Sequence, residues 1–261
     1  MKIRDIIQLL EFYAPTEYQE NYDNSGLIAG NPNLECSGIL VSLDCTEEVV
    51  REAITRKSNL IISHHPLIFR PIKQLVSHEG SGNALIAAIK ADIAIYAIHT
   101  NLDNILSGVN GVIADKLGLV NRRILLPKKD SQLIGSGILG ELKNALSEKH
   151  VLERLKTTFK APVIRHSPLL NKLVTRVAIC GGAGSFLIPN ALQAGAQFFI
   201  SADIKYHDFF ESRSEMVIAD IGHFESEQFT VDLLHSVIVE KYPNFAVLKS
   251  GIVTNPVNYY I

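Results

Sequence analysis

No stretch of this 261-residue sequence is apolar for long enough to span a bilayer as a helix, which takes about 20 residues. Cysteine is scarce: Cys36, Cys45 and Cys180 cannot all pair with one another, and their spacing is not that of a zinc site. They read as buried or incidental thiols of a reducing compartment. Charge of either sign is not in excess, with 25 Lys and Arg against 27 Asp and Glu and a net charge of -2. That balance argues against a nucleic-acid or anionic-membrane partner. The first 13 residues, MKIRDIIQLLEFY, are charged throughout and place Ile3, Ile6, Ile7 and Leu10 at helical spacing. They show no secretory signal, their mixed charges favour a first helix packed on its own sheet over a membrane-surface helix, and the expected location is the cytoplasm. Two catalytic signatures are missing as well. CGGAGS (180–185) lacks the lysine of a P-loop, so tight turn geometry accounts for its glycines better than a phosphate cradle, and no serine sits in a nucleophile elbow.

What is present is an alternation of strands and helices. GILVSLD (38–44) reads as a strand, followed by a helix over CTEEVVREAITRK with Thr46 as N-cap and Glu47 and Glu48 in its first turn. NLIIS is the second strand, Gly82 to Ala91 a helix, and IAIYAIH (93–99) the third strand. The second half repeats this order with strands at TRVAICGG (175–182), QFFIS (197–201) and EMVIADIGH (215–223). In each half the last strand is expected to end in a histidine, with a carboxylate four residues on: His99 and Asp103, then His223 and Glu227. Between the halves, residues 121–174 hold a helix around Val151 to Phe159, and the cluster Arg122, Arg123, Lys128 and Lys129 reads as a solvated linker. The expected fold is α/β: two related lobes, approximately 1–125 and 126–261, with mixed, largely parallel sheets and a metal site in the cleft between them.

SHHPLIFRPIK (63–73) is the stretch with the most chemistry. Side chains alternate along a strand, so His64 and His65 cannot both serve one site from regular β structure. Released at the strand end, with Pro66 holding His65 extended, the two rings can reach two centres a few ångströms apart. A hydrogen-bonded or solvated strand end is the alternative for the pair alone. The other donors count against it, because His64, His65, Asp103, His223 and Glu227 all fall at or just beyond predicted strand ends. Nitrogen and carboxylate donors without cysteine suit zinc, iron or manganese. Five protein ligands shared by two ions leave positions open, which points to chemistry or metal transfer rather than to a structural site. His99 reads either as a group that holds a ligand or moves a proton, or as a hydrogen-bonded structural histidine. Asp203, Lys205, His207 and Asp208 in SADIKYHD read either as binders of an anionic substrate and tuners of a metal-bound water, or as a salt-bridged helix start.

Six segments occur in order along nearly the whole chain: NYDNSGLIAG, SHHPLIF, AIHTNLD, GVNGVIADKLGL, SADIKYHD and IGHFESE. In these the chain resembles the Nif-three-like family, also called GTP cyclohydrolase I type 2 homologues or dinuclear metal centre proteins. The resemblance implies two α/β lobes, a ring-shaped homo-hexamer and a dinuclear site of two divalent transition-metal ions. Its ligands fall on His64, His65, Asp103, His223 and Glu227, with no departure at these positions. The chain matches the compact form of the family, without the domain inserted in longer members. The implied function is hydrolysis of a nucleotide-like or other small substrate, with His99 and His207 as proton carriers and Asp203 and Lys205 at the substrate. The alternative is a metal-binding, iron-delivery or regulatory protein without turnover.

Overall fold

A computed structural model describes residues 1–76, 80–128 and 131–260. In chain order the first elements are α1 (Ile3–Tyr13), β1 (Gly26–Ala29), β2 (Ile39–Ser42), α2 (Glu47–Thr55), β3 (Leu60–Ser63), α3 (Gly80–Lys90) and β4 (Ala94–Ala97). Then come α4 (Thr100–Asp103), α5 (Val109–Lys116), β5 (Leu119–Lys128), β6 (Ser131–Ser147), α6 (Glu148–Phe159), β7 (Arg165–His166) and β8 (Leu173–Ala183). The chain closes with α7 (Ile188–Gln193), β9 (Phe198–Ala202), β10 (Val217–Asp220), α8 (His223–Glu227), α9 (Thr230–Lys241) and β11 (Val247–Lys249).

Two compact units result, one of Met1–Leu102 with Thr230–Pro256 and the other of Asp103–Phe229 with Val257–Ile261. This division differs from a single cut near residue 125. The reason is long-range: β11 pairs in parallel with β2, so the segment after α8 belongs to the first sheet. Nothing local in a three-residue strand says which sheet edge it will join.

The first sheet has the order β1-β4-β3-β2-β11 and is parallel except for β1 at its edge. Strands β2, β3 and β4 are buried along their whole length, as parallel strands covered on both faces must be. Their apolar runs follow from that. Leu40, Ile61 and Ile95 pack against Val49, Val50 and Ala53 of α2 and Ala84 and Ala88 of α3. The start of α2 is fixed as expected, the Thr46 hydroxyl accepting from the Val49 amide at 3.4 Å. The register sets Ser42 level with Ser63, and Ser63 level with Ala97. Whatever follows these three residues therefore emerges together at the C-terminal edge of the sheet.

The second sheet has the order β5-β6-β8-β9-β10-β7, with a parallel centre of β8, β9 and β10 and antiparallel flanks. It repeats the device of the first: Ser201 lies level with Asp220 where β9 and β10 end. The expected linker over 121–174 holds instead two of the longest strands, β5 and β6, paired as an antiparallel hairpin. Glycines disguised it. A side chain at Gly137 would come within 2.8 Å of the Leu187 methyl, and one at Gly135 within 2.1 Å of the Leu126 carbonyl. These glycines admit close neighbours to a strand rather than marking a loop. Of the basic cluster, Arg122 pairs with Asp115 at 2.6 Å, and Lys129 lies outside the described residues. No helix among the described residues is long and apolar enough to cross a membrane.

Candidate metal centre

In the first unit, the chain leaves β3 by a turn toward β2. The amides of His64 and His65 both donate to the Leu43 carbonyl, at 3.1 and 3.0 Å. That breaks the strict alternation of a strand and lets neighbouring rings lie close, with centroids 4.9 Å apart. His99 joins them, its ring 5.2 Å from His64 and 5.4 Å from His65. One ring nitrogen from each of the three lies within 4.8 Å of the others. The strand register explains this. Asp44, His65 and His99 each stand two residues beyond the level set Ser42, Ser63 and Ala97.

Each imidazole is held through Nδ1. His64 donates to the Ile98 carbonyl at 2.8 Å, His65 to Asp44 Oδ1 at 2.7 Å and His99 to Asp23 Oδ1 at 2.7 Å. An oxygen that carries no hydrogen can only accept, so Nδ1 is the protonated nitrogen in all three. In the neutral ring the lone pair for a metal is then on Nε2, and a partner on Nδ1 is the usual way to fix a ligand histidine. Asp23 and Asp44 are the two carboxylates that the sequence reading missed. The signal for Asp44 was its offset from β2, equal to that of His65 from β3. Asp23 lies in NYDNSG, where it also accepts from Ser25, the Thr100 amide and the Thr100 hydroxyl. Burial opposes ionisation of both carboxyls, but the bonds from His99 and Thr100 hold Asp23 well below the usual range, and those from His65 and Thr254 hold Asp44 below it.

In the second unit, the donors are His223, Glu227 and Asp103. Strand β10 stops at Asp220, and His223 opens α8 instead of ending a strand. Likewise β4 stops at Ala97, so His99 also lies beyond its strand. Gly222, at φ +93°, makes the turn between β10 and α8. His223 and Glu227 are one helical turn apart on one face, with Nε2 3.0 Å from Oε2. Nδ1 of His223 donates to Asp203 Oδ2 at 2.7 Å. Asp203 follows β9 in a left-handed conformation, φ +53°, which an acidic residue tolerates better than most. The bond from His223 lowers the Asp203 pKa against the effect of burial. Burial also works against a charged His223, but its two carboxylate partners push it up to about 11.

Two glycines of CGGAGS, Gly181 and Gly182, lie on β8 against Glu227. A side chain at Gly182, where φ is +61°, would come within 2.4 Å of Glu227 Oε1, and one at Gly181 within 3.6 Å of its Cγ. The Gly182 amide donates to Ser226 at 3.0 Å, and the Gly181 amide to Asn110 Oδ1 at 2.8 Å. Asn110 in turn donates to the Asp103 carbonyl at 3.0 Å, tying the Asp103 backbone to the same strand. Burial, then the charges of Asp103 and Glu227, push the Cys180 thiol far up, leaving a neutral buried thiol.

Of the other residues singled out from SADIKYHD, two face solvent and Asp208 is half-buried. Lys205 and His207 are exposed, His207 beside the Tyr206 ring at 5.1 Å between centroids. Asp208 accepts from the Lys205 amide at 3.2 Å, which makes it a backbone cap of the turn that follows.

Two α/β units, each placing imidazole and carboxylate donors beyond the ends of parallel strands, define an α/β protein with His/Glu groups that could hold a metal ion. The sequence profile of the Duf34/NIF3 (NGG1p interacting factor 3) family matches residues 1–256, and the chain belongs to that family. It is 36% identical over 231 residues to a Clostridium perfringens protein named GTP cyclohydrolase 1 type 2 homolog, covering 87% of each chain. A Clostridium acetobutylicum protein of the same name is 32% identical, with 97% of this chain and 94% of the other covered. Among solved structures, a Staphylococcus aureus hypothetical protein is 31% identical with a TM-score of 0.92, covering 100% of this chain and 99% of that one. A Bacillus cereus protein described as related to NIF3 shares the fold at a TM-score of 0.92 and 24% identity, covering 100% of this chain and 99% of that one.

Proposed function

We propose that this chain is a dinuclear metal protein that hydrolyses a nucleotide-like or other small substrate. His64, His65, Asp103, His223 and Glu227 are the proposed ligands, as the family motifs imply. The observation that carries the reading is the anchoring of His64, His65 and His223 through Nδ1 to Ile98, Asp44 and Asp203. Such anchoring fixes Nε2 as the ligand atom before any ion arrives, and it fits a nitrogen-and-oxygen site for zinc, iron or manganese. When bound, two divalent cations supply Lewis-acid polarisation and lower the pKa of water toward about 7. Asp44 and Asp203 keep their rings oriented. Glu227 offers a buried carboxylate whose two oxygens can serve two cations at once. His99, its Nδ1 proton held by Asp23, can take up a proton at Nε2. His207 is proposed as a second proton carrier, and Asp203 and Lys205 are proposed to bind the substrate. The names of the clostridial relatives favour a nucleotide-like substrate. We further propose a cytoplasmic homo-hexamer, as the family resemblance implies, which light scattering would test.

The test of the function is a panel of cyclic amidines and phosphoesters, assayed with metal-loaded protein, after chelation, and after metal is restored. Turnover that disappears and returns with metal supports the reading. Two equivalents of bound metal without turnover across the panel, together with transfer of the metal to an apo-protein, would replace it with metal delivery.

A further inference from the structure

The second unit has a cleft of about 400 Å³ that the metal chemistry leaves unused. One wall is the turn Tyr206–Ser212 with the two residues after it, and the other is the segment that leaves β7. Its character comes from His166, Leu170, Tyr206, Phe209, Phe210 and Arg213. The aromatic rings of Tyr206 and Phe210 stand edge to face, 5.6 Å apart, yet are 72% and 67% exposed. Two large rings left in solvent on the rim of a concave site are the usual mark of a surface that something covers.

Charge and backbone geometry narrow what that is. Among the described residues, those that line the cleft include Arg213 and His166 and no Asp or Glu. The guanidinium of Arg213 has a single loose partner, Glu211 at 3.3 Å, and both side chains are more than half exposed. Such a pair is easily exchanged for a better anion. Arg213 and Ser214 are consecutive non-glycine residues in the left-handed region, at φ +50° and +54°. The turn is pinned by the buried Ser212, whose carbonyl accepts from Glu215 at 2.9 Å and Met216 at 3.3 Å. Backbone held in this way tends to occur where a side chain must be presented to a ligand. The volume lies in the range of small-molecule sites and suits one or two fused rings with a substituent.

We propose that this cleft binds a small, flat aromatic molecule carrying one anionic group, its ring against Tyr206 and Phe210 and its charge on Arg213. The inference is independent of the metal reading. Binding of naphthalene-2-carboxylate to the full-length protein would be followed by calorimetry and ligand-observed NMR, beside naphthalene-2-carboxamide as its neutral counterpart. Saturable binding of one carboxylate per chain is expected, with a dissociation constant below about 1 mM. The carboxamide and the Arg213→Gln variant should each weaken it by about tenfold, the worth of one charge-assisted contact. Phe210→Ala and Tyr206→Ala should remove binding while metal content and melting temperature stay as in the wild type. Absence of saturable binding, equal affinity for the carboxamide, or indifference to the aromatic variants would overturn the proposal. So would a change of sedimenting mass in Phe210→Ala, because the rings would then be covered by a second copy of the chain.

Discussion

Nε2 of His223 lies 3.0 Å from Oε2 of Glu227, on the same face of α8, while its Nδ1 is 2.7 Å from Asp203. With a carboxylate on each nitrogen, the ring holds two protons in the metal-free protein, and its pKa rises from 6.5 to about 11. The proton on Nε2 stands where a metal ion would bind. Metal uptake therefore has to displace it, and affinity should rise with pH. Calorimetric titration with zinc in buffers of different ionisation enthalpy should register a released proton at pH 7.5, and the release should vanish in His223→Gln. The same shift sets a stability window for the metal-free protein. Because the folded value is the raised one, the stabilisation is complete below about 6.5 and is lost as pH climbs toward about 11. Melting temperature of the apo-protein should fall across that interval, and fall less in His223→Gln. A flat profile in the wild type would contradict the paired arrangement.

Gly182 makes a second prediction because it is constrained twice, by φ +61° and by Glu227 Oε1 at 2.4 Å from where a Cβ would lie. Gly182→Ala should cost about 1 to 3 kcal/mol of folding stability through backbone strain, and should also displace the carboxylate and weaken metal binding. Gly195 supplies the control. Its φ is +68°, but a Cβ there would meet only the Arg176 side chain at 3.1 Å. Gly195→Ala should thus show the strain in a urea melt and leave metal affinity in a chelator competition unchanged. Equal effects of both variants on affinity would remove the argument for close packing on Glu227.

Asp44 tests whether the anchoring of a histidine matters apart from the histidine itself. Asp44→Asn keeps the size of the side chain and removes the charge that His65 Nδ1–H meets at 2.7 Å. Affinity for the ion that His65 would hold should drop by about 10- to 100-fold, the usual effect of losing such a partner. Stoichiometry at saturating metal should be retained. A variant that binds metal as tightly as the wild type would show that His65 needs no orienting carboxylate.

The ease with which these groups could be read from sequence follows the range of the interactions that fix them. Strands β2, β3 and β4 announce themselves as apolar runs because they are buried on both faces, and Thr46 announces the start of α2 because capping is local. His64 and His65 are legible because two imidazoles at a strand end are chemically conspicuous. Asp44 is equally placed but looks like an ordinary polar residue after a strand; only the pairing of Ser42 with Ser63 shows that it emerges beside His65. Asp23 reaches His99 across 76 positions from a loop with no periodicity to read. The hairpin of β5 and β6 was hidden because glycine serves both turns and close strand contacts. The position of His223 at the head of α8 depends on Gly222, whose left-handed turn at φ +93° is tied by its amide to Asp220 Oδ1 at 3.0 Å, a bond that the strand-like run before it does not announce.

Glu227 and His223 are suited to different shares of the work of holding two ions. An imidazole has one lone pair to give, so His223 can serve a single ion through Nε2. A carboxylate has two oxygens and a negative charge. It can touch two cations and offset the repulsion between them, which at close range is the main obstacle to a two-ion site. Glu227 is also buried, with Gly181 and Gly182 close against it, so little freedom remains for another group to swing into its place. Glu227→Ala should therefore lose both ions, and His223→Ala mainly one. Elemental analysis of each variant, dialysed against the same low free concentration of zinc, would count them. About two equivalents in the wild type, near one in His223→Ala and near zero in Glu227→Ala is the expected order. Equal losses in the two variants would mean that Glu227 binds a single ion and that some other group bridges.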